Sequence, residues 1–355
     1  MRMIDANVNR ATEGLRVAED IVRFVLDDNK LTSKLKNTRH EIIKLLRDVR
    51  CEARDVKGDV GAGRSTKSEG RRKDILDVFS ANIKRAQESI RVFEEVSKLF
   101  NAKLGPKFKK IRFELYDVEQ KAAIKLKKKI KLDFNLYVIT DPSFCKSHLE
   151  IMKAAAKPFD TSAPPFNELR APLSAQVKGG ALAVQLRDKN MSKPEYLKTA
   201  KVMSKYAKAH GLTFIVNDNI DIAKRSDADG VHLGARDARR EMRDAKRMLG
   251  EDKIIGISAS NLKEALNAQR LGADYIGFGP IFATPIKASM KPLGIKALKR
   301  VMKRVTIPVV AIGGINKANI GQIRAAGCDR IAVIRAVSGA KDIRKAAAAL
   351  NALCH

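Results

Sequence analysis

The sequence contains no tryptophan, and phenylalanine and tyrosine bring its aromatic fraction to only 5%. Proteins that bind single-stranded nucleic acid stack the bases on aromatic side chains, so that class is poorly supported despite a formal net charge of +30. The lysine and arginine residues are spread along the chain instead of forming one patch. Small phosphorylated ligands explain the positive charge better, and a basic nucleic-acid-binding protein is kept as the alternative.

Cysteine is also scarce, and Cys51, Cys145, Cys328 and Cys354 are far apart with no CxxC pair. This spacing argues against a zinc site and a disulfide framework, so we predict reduced thiols. No apolar run approaches the roughly 18 residues that a membrane span needs. The first residues, MRMIDANVNR, do not resemble a signal peptide. We therefore expect a cytoplasmic protein with no membrane partner.

Residues 1–126 predict an all-helical domain, because apolar residues recur there with a 3.6-residue period. An internal repeat organises it: DANVNRATEGLRVAED (5–20) aligns without a gap with SANIKRAQESIRVFEE (80–95). Each copy predicts an N-terminally capped helix whose Asn, Arg and Glu residues share one face. Those faces form either rows of surface ion pairs or a shared ligand site, and the sequence leaves both open.

A glycine-rich segment, residues 53–74, separates the two copies. Gly58, Gly63, Arg64 and Ser65 mimic the GxxxxGK[ST] phosphate loop, although the flanking residues are charged and helical instead of forming a strand. Its backbone N–H groups could cradle a phosphate, but a plain flexible loop is the simpler interpretation. A last helix is predicted from Phe108 to about Lys131, and the basic segment 127–134 is predicted to link the two domains.

From residue 135 onwards, short apolar runs alternate with helical segments. Eight such runs predict strands, at 136–140, 182–187, 213–217, 230–234, 254–258, 275–279, 308–313 and 330–334. Eight buried strands alternating with helices predict a (β/α)₈ TIM barrel over residues 135–355, so the fold class is α/β with an all-α N-terminal domain. The first connection is unusual, because residues 157–174 contain four prolines and predict an irregular insertion.

Polar and charged residues follow the predicted strands, at the end where TIM-barrel enzymes carry their active sites. The residues concerned are Gln185, Arg187, Lys189, Asn217, Asp218, Asp237, Ser258, Thr284, Lys287, Gly313, Gly314 and Arg335. Cations, hydroxyls and a glycine turn predict a polyphosphate pocket. Asp218 and Asp237 follow neighbouring strands and could bind one Mg²⁺ ion, or they could simply cap the following helices.

Covalent catalysis is not indicated, because no serine or cysteine has a candidate base beside it in the sequence. His232 lies within a predicted strand, where a lone histidine is more often a core residue than a catalyst. The expected chemistry is therefore electrostatic and Lewis-acid assistance to a phosphate or pyrophosphate leaving group.

The segments QLRDK, VND, GVHLGARD, GISAS, DYIGFGPIFATPIK and VVAIGGI resemble the thiamine-phosphate synthase (thiamine-phosphate pyrophosphorylase) family over about residues 135–350. The resemblance implies a transferase that joins 4-amino-5-hydroxymethyl-2-methylpyrimidine diphosphate to 4-methyl-5-(2-phosphoethyl)thiazole and releases pyrophosphate. It also implies Mg²⁺ as cofactor and a dissociative displacement.

The same resemblance implies residue roles. Mg²⁺ would be held by Asp218 and Asp237, and the catalytic cations would be Arg187, Lys189 and Lys287. The pyrimidine diphosphate would be held by Gln185, Arg187, Lys189, Asn217, Ser258 and Lys287, with Leu186 and Asp188 beside them. The thiazole phosphate would face Thr284, Gly314, Ile334 and Arg335, with Pro285 and Ile286 beside them.

Three positions depart from the family pattern: Asp188 replaces the usual Glu, Ile286 a second Thr, and Arg335 a Ser. The last two bear on the thiazole phosphate, where Arg335 could replace a lost hydroxyl contact by a charge-assisted hydrogen bond. With the insertion at 157–174, these changes keep a thiazole tautomerase-like barrel without synthase activity as an alternative.

The N-terminal segments DANVNRATEGLRVAEDIVRFVLDD, GDVGAGRSTKSEGRR and ANIKRAQESIRVFEE resemble a helical domain that is fused in front of some thiamine-phosphate synthases. That family is associated with phosphorylating the pyrimidine monophosphate. The resemblance therefore implies a bifunctional enzyme that uses ATP at residues 1–126. The competing interpretation is a structural dimerisation bundle, which would make the protein a homo-oligomer.

Overall fold

The computed structural model describes residues 2–47, 72, 74–144, 146–157, 182–235 and 237–354, and for Lys287 its backbone only. The chain divides into two compact units, residues 1–129 and 130–355. The phosphate-loop-like segment 53–71, the insertion beyond residue 157, Cys51 and Cys145 lie outside the described residues.

The described part of the first unit is helical. Its helices are α1 (Arg2–Phe24), α2 (Asn29–Leu45), α3 (Ile75–Val96) and α4 (Leu104–Lys131), with a 3₁₀ turn at Ser97–Leu99. Apolar side chains spaced three or four residues apart form one buried stripe on each helix, and these stripes pack into a single core. In α1 the stripe is Ile4, Val8, Ala11, Leu15, Ala18 and Val22.

The two repeat copies lie inside α1 and α3, but the prediction that each copy begins at a helix cap was wrong. The apolar period extends further back, so α1 begins at Arg2 and α3 at Ile75. In α3 the cap is Asp74, whose carboxylate accepts the backbone N–H of Asp77 at 2.8 Å.

The two copies share two glutamate positions, and the one at Glu19 and Glu94 is buried within ion pairs, whereas Glu13 and Glu88 are exposed. Glu19 and Glu94 are 4% and 6% exposed. Arg39 of α2 binds Glu19 at 3.1 Å, and Arg112 of α4 binds Glu94 at 3.0 Å. Each glutamate also pairs with the arginine three residues before it. The shared pairs Arg16–Glu19 and Arg91–Glu94 are therefore ion pairs, as one of the two alternatives proposed, but their glutamates are more buried than in surface rows.

The basic segment 127–134 is not a separate linker, because α4 continues through Lys131. The end of α4 is held by hydrogen bonds within the second unit. The Lys131 ammonium donates to the backbone oxygen of Leu212 at 3.1 Å, and the Lys131 carbonyl accepts the hydroxyl of Thr213 at 2.6 Å. The lysine residues of this segment have a high helix propensity, which explains why α4 continues through it.

The second unit is a closed barrel of eight parallel strands in sequential order, as predicted. The strands are β1 (Leu136–Thr140), β2 (Leu182–Leu186), β3 (Thr213–Asn217), β4 (Gly230–Leu233), β5 (Ile254–Ala259), β6 (Tyr275–Phe278), β7 (Val309–Ile312) and β8 (Ile331–Val333). The helices are α5 (His148–Ala156), α6 (Lys193–Ala209), α7 (Ile220–Arg225), α8 (Ala238–Leu249), α9 (Leu262–Leu271), α10 (Gly294–Met302), α11 (Ile320–Arg324), α12 (Arg335–Ser338) and α13 (Ile343–Cys354).

Two hydrophobic clusters hold the barrel together. The larger one fills the layer between the strands and the surrounding helices, and the smaller one fills the barrel interior with Tyr137, Tyr275, Phe134 and smaller aliphatic residues. Alternate residues of each strand enter these two layers, which explains why the strand sequences are apolar on both faces. In the described part of the chain, no helix is long and apolar enough to cross a membrane.

Candidate active site

The end of β2 and the loop that follows carry Gln185, Leu186, Arg187, Asp188 and Lys189. Gln185 is buried, whereas Arg187 is half-buried and Lys189 is exposed. The Leu186 carbonyl accepts the hydroxyl of Tyr196 at 2.6 Å. This hydrogen bond and the burial of Gln185 and Leu186 fix the end of the strand, and the two cations follow it on the loop.

The Asp188 carboxylate holds this loop in shape. It accepts the backbone N–H groups of Asn190 and Met191 at 2.8 and 3.1 Å, and its other oxygen lies 3.2 Å from Nε2 of His148. Burial opposes its charge, but these hydrogen bonds outweigh that effect and lower the pKa of Asp188. On the other side of the ring, Nδ1 of His148 lies 2.6 Å from the Thr140 hydroxyl. The first and second βα loops are thereby tied together.

Asp218 and Asp237 do not cap the helices that follow them, so the capping alternative is wrong. The cap of α7 is Asn219, which accepts the Ile222 N–H. Asp237 occupies the cap position of α8 but makes no capping hydrogen bond with its side chain. Both aspartates also adopt a left-handed backbone, with φ of 58° and 38°. Such a conformation is uncommon for a residue with a side chain, although aspartate adopts it more readily than most, as Asp27 and Asp227 also do.

A third carboxylate, Glu241, faces this pair and was missed from the sequence. Burial and the nearby charges of Asp218 and Asp237 raise the pKa of Glu241. Its Oε2 atom is buried and has no hydrogen-bond partner among the described residues, which do not include Arg236. The sequence signal was its position four residues after Asp237, on the same face of α8.

The carboxylates do not enclose a metal ion by themselves. Within the described ranges, no group of three or more His, Cys, Asp or Glu side chains is arranged to hold one. Magnesium commonly binds one or two carboxylates and completes its shell with water and substrate phosphate. Two aspartates that cap no helix, beside a buried carboxylate oxygen with no partner among the described residues, fit that kind of site.

A cavity of about 440 Å³ opens beside the ends of β6, β7 and β8. It brings together seven of the predicted residues: Thr284, Pro285, Ile286, Gly313, Gly314, Ile334 and Arg335. It is also lined by Phe144 and Asn316, which the sequence had not singled out. Arg335 lies over the Phe144 ring at 5.8 Å, and it is the charged side chain among the described residues of the lining.

The glycine turn after β7 shapes one wall of this cavity. Gly313 and Gly314 have φ of 99° and 67°. A Cβ on Gly314 would lie 2.5 Å from the backbone oxygen of Ala283, and one on Gly313 would lie 2.5 Å from Pro280. Both positions therefore require glycine, because the loop after β6 packs directly against the turn.

Asn217 and Ser258 lie at the ends of β3 and β5. The Asn217 amide donates to the Asp218 carboxylate at 2.7 Å. The Ser258 hydroxyl is 2.9 Å from Nε2 of His232, whose Nδ1 is 2.9 Å from the Tyr275 hydroxyl. His232 is thus hydrogen-bonded on both ring nitrogens, which agrees with its interpretation as a satisfied residue. The side chain of Lys287 lies outside the described residues.

Comparison with known proteins identifies the family of most of the chain. A family model described as thiamine monophosphate synthase matches residues 136–337, and one described as the ThiD2 family matches residues 2–121. A thiamine-phosphate synthase of Synechocystis sp. is 35% identical over 337 residues, covering 95% of this chain and 91% of that protein. One from Prochlorococcus marinus is 36% identical, covering 96% of this chain and 92% of that protein.

The barrel also resembles a solved structure. Thiamine phosphate pyrophosphorylase from Pyrococcus furiosus is 35% identical and superposes with a TM-score of 0.52. The match covers 63% of this chain and 97% of that chain.

Proposed function

Because this chain belongs to the thiamine monophosphate synthase family, it is an enzyme of thiamine phosphate synthesis, and we propose that the strand ends described above form its active site. This placement rests on one observation: the strand ends of one barrel carry both a pair of aspartates that cap no helix and a separate cavity lined by Arg335. The first group suits a diphosphate and its metal ion, and the cavity suits a smaller phosphorylated ring.

The pyrimidine diphosphate binds at the ends of β2 to β5. Arg187 and Lys189 project from a loop whose shape is fixed by Asp188, and so they meet the diphosphate oxygens without a large ordering cost. Lys287 is proposed as the third cation. Gln185, Asn217 and Ser258 contribute amide and hydroxyl groups that orient the pyrimidine ring.

Magnesium is proposed as the cofactor, held by Asp218 and Asp237 with the Glu241 carboxylate facing them. When bound, it supplies Lewis-acid neutralisation of the negative charge on the diphosphate. The unpartnered Glu241 oxygen and the repulsion among three carboxylates support a cation in this place.

The thiazole phosphate binds in the cavity beside β6 to β8. Thr284 and the backbone N–H groups at Gly314 and Ile334 contact the phosphate. Arg335 adds a charge that compensates for Ile286, which has no hydroxyl group. The apolar walls at Ile286, Ile312 and Ala332 receive the ring.

The reaction needs no protein nucleophile. Arg187, Lys189 and Lys287 stabilise the diphosphate as the bond between its oxygen and the pyrimidine methylene carbon breaks, and the electron pair leaves with the diphosphate. The electron-rich aminopyrimidine stabilises the resulting methylene cation. The thiazole nitrogen, held nearby by the cavity, then forms the new C–N bond.

The test is to incubate the full-length protein with pyrimidine diphosphate, thiazole phosphate and Mg²⁺. We expect thiamine phosphate and pyrophosphate in equal amounts, and loss of turnover with EDTA that excess Mg²⁺ restores. Turnover that continues in EDTA would contradict the metal assignment, while the absence of product from a folded protein would contradict the synthase activity.

We further propose that the first unit phosphorylates the pyrimidine monophosphate with ATP. Two observations support this: its match to the ThiD2 family, and the fact that the Synechocystis synthase aligns with 95% of this chain and therefore has the same helical unit. Full-length protein supplied with ATP, pyrimidine monophosphate and thiazole phosphate should then make thiamine phosphate. If it does so only when the diphosphate is supplied ready-made, the helical unit is structural.

A further inference from the structure

A continuous chain of hydrogen bonds crosses the interior of the barrel. It begins at Gln185 on β2, whose amide nitrogen donates to the Tyr137 hydroxyl at 2.8 Å. The Tyr137 hydroxyl lies 2.9 Å from that of Tyr275. Tyr275 contacts Nδ1 of His232 at 2.9 Å, and Nε2 of His232 contacts Ser258 on β5 at 2.9 Å. The two ends of the chain are residues of the proposed pyrimidine site.

The direction of each bond follows from the Gln185 amide, whose nitrogen faces Tyr137, and from counting the protons of the groups after it. A tyrosine hydroxyl has one proton, and a buried proton without an acceptor is costly. Tyr137 accepts from Gln185, so its own proton goes to Tyr275. Tyr275 then donates to Nδ1 of His232, which must be unprotonated. His232 is therefore neutral, with its proton on Nε2, and it donates to the Ser258 oxygen.

The surroundings of the two tyrosines support this direction. Tyr137 and Tyr275 are 2% and 0% exposed, and burial raises the pKa of both hydroxyls, so both remain neutral donors. Their rings also contact each other at 6.0 Å and each contacts Phe134. Packing of the rings fixes the positions of the two hydroxyl oxygens, and so keeps them within hydrogen-bond distance of each other.

Two strand glycines make room for the chain. A Cβ on Gly256 of β5 would lie 2.1 Å from the Tyr275 ring, and a Cβ on Gly277 of β6 would lie 2.9 Å from the His232 ring. Glycine weakens a strand interior unless something must approach closely. Here the approaching groups are the two rings of the chain, so the barrel interior is built around them.

We propose that Tyr137, Tyr275 and His232 are positioning residues that set the hydrogen-bonding direction of Gln185 and Ser258 toward the pyrimidine substrate. Because Nε2–H of His232 occupies a Ser258 lone pair, the Ser258 proton is free to be donated to the substrate. Because the Gln185 nitrogen is used by Tyr137, its oxygen is left to accept from a substrate amino group. The inference rests on the proposed placement of Gln185 and Ser258 in that site.

The direction can be measured without any assay of activity. In full-length protein labelled with ¹⁵N-histidine, the ring signals of His232 are assigned by their loss in His232→Gln. We expect one protonated nitrogen, Nε2, and one unprotonated nitrogen, Nδ1. A proton on Nδ1, or on both nitrogens at neutral pH, overturns the proposed direction.

The consequence for the site is tested with Tyr137→Phe, Tyr275→Phe and the double variant. Each single change should raise the KM or lower the kcat for pyrimidine diphosphate so that kcat/KM falls about tenfold, and the KM for thiazole phosphate should stay within about twofold. Either change alone breaks the hydrogen-bond chain. The kcat/KM of the double variant should therefore be no lower than that of the less active single variant.

Tyr206→Phe is the matched control, because Tyr206 lies on α6 and its ring stacks on His210, outside the chain. It should keep the parent kinetics. Two results overturn the positioning role: single variants that behave like the control, or a double variant whose loss is the product of the two single losses. Because the parent enzyme is measured alongside, failure of the synthase assignment itself is seen separately.

Discussion

At the scale of single residues, the structure separates two neighbouring side chains that the sequence could not distinguish. Asp218 follows β3 but leaves the capping of α7 to Asn219. The two residues therefore have different expected roles, one in the reaction and one in stability.

We predict that Asp218→Asn lowers kcat by at least about 100-fold and leaves the melting temperature close to that of the parent. Asparagine keeps the size of the side chain and tolerates φ of 58°, so the change removes the charge alone. The measurements are steady-state kinetics at several Mg²⁺ concentrations and thermal unfolding.

Asn219→Ala is the matched control one residue away. It should cost about 1 kcal/mol of unfolding free energy through loss of the cap and retain most activity. The opposite result, with an active Asp218→Asn and an inactive Asn219→Ala, would remove Asp218 from the metal site.

At the scale of elements, the turn after β7 offers a comparison between two glycines of similar backbone conformation. Gly314 has φ of 67° and Gly211 has φ of 66°, but a Cβ on Gly211 would meet nothing within 4 Å. Gly211→Ala should therefore cost only the left-handed strain, about 1 kcal/mol of stability, with unchanged kinetics.

Gly314→Ala should add a steric effect to that strain. The new Cβ meets the Ala283 carbonyl at 2.5 Å, so the loop that carries Thr284 must move. We expect the KM for thiazole phosphate to rise at least about tenfold, equivalent to roughly 1.4 kcal/mol of binding, with a smaller change for pyrimidine diphosphate. Equal increases in the KM for both substrates would contradict a specific role of this turn in binding thiazole phosphate.

The ion pair between α3 and α4 leads to a prediction about stability. Arg112→Met should cost about 2 kcal/mol in unfolding free energy, because it removes the 3.0 Å partner of the buried Glu94 carboxylate and leaves it only the exposed Arg91. Adding Glu94→Gln should recover part of that loss.

The exposed pair Lys121–Asp117 provides the comparison, since Lys121→Met should cost no more than about 1 kcal/mol. Chemical denaturation measures all three variants beside the parent, and equal losses for Arg112→Met and Lys121→Met would contradict the role of burial.

Most elements were predictable because their signals are local. The eight strands follow from short apolar runs, and their observed limits differ from the predicted ones by about a residue. The rule that barrel sites follow the strands led to the prediction of Asp218, Asp237, Gly314 and Arg335, and the structure has these residues shortly after β3, β4, β7 and β8. The start of α3 was not predictable from the repeat, because its apolar period continues back beyond the repeated residues.

What the sequence did not reveal depends on contacts between distant segments. The pairing of His148 with Asp188 joins two loops, and Phe144 reaches the cavity from the first of them. Glu241 was closer to being found, since it lies one helical turn after Asp237. The hydrogen-bond chain through Tyr137 and Tyr275 joins strands that are far apart in sequence, and neither tyrosine differs locally from an ordinary core residue.

At the scale of the whole molecule, the net charge of +30 is expected to act on the rate of encounter with anionic substrates. We predict that kcat/KM for both phosphorylated substrates falls as ionic strength rises from about 0.01 to 0.15 M, because screening shortens the range of attraction. The kcat at saturating substrate should change less. A kcat/KM that does not depend on salt would show that the excess charge has no part in substrate capture.

The two strand glycines in the barrel have an evolutionary consequence. Gly256 can gain a side chain only if Tyr275 becomes smaller, and Gly277 can do so only if His232 does. Single substitutions at any of these four positions produce either a collision or a void, so each pair has to change together or stay as it is. Among divergent relatives we therefore expect these positions to vary as linked pairs, with large rings opposite glycine and small side chains opposite one another.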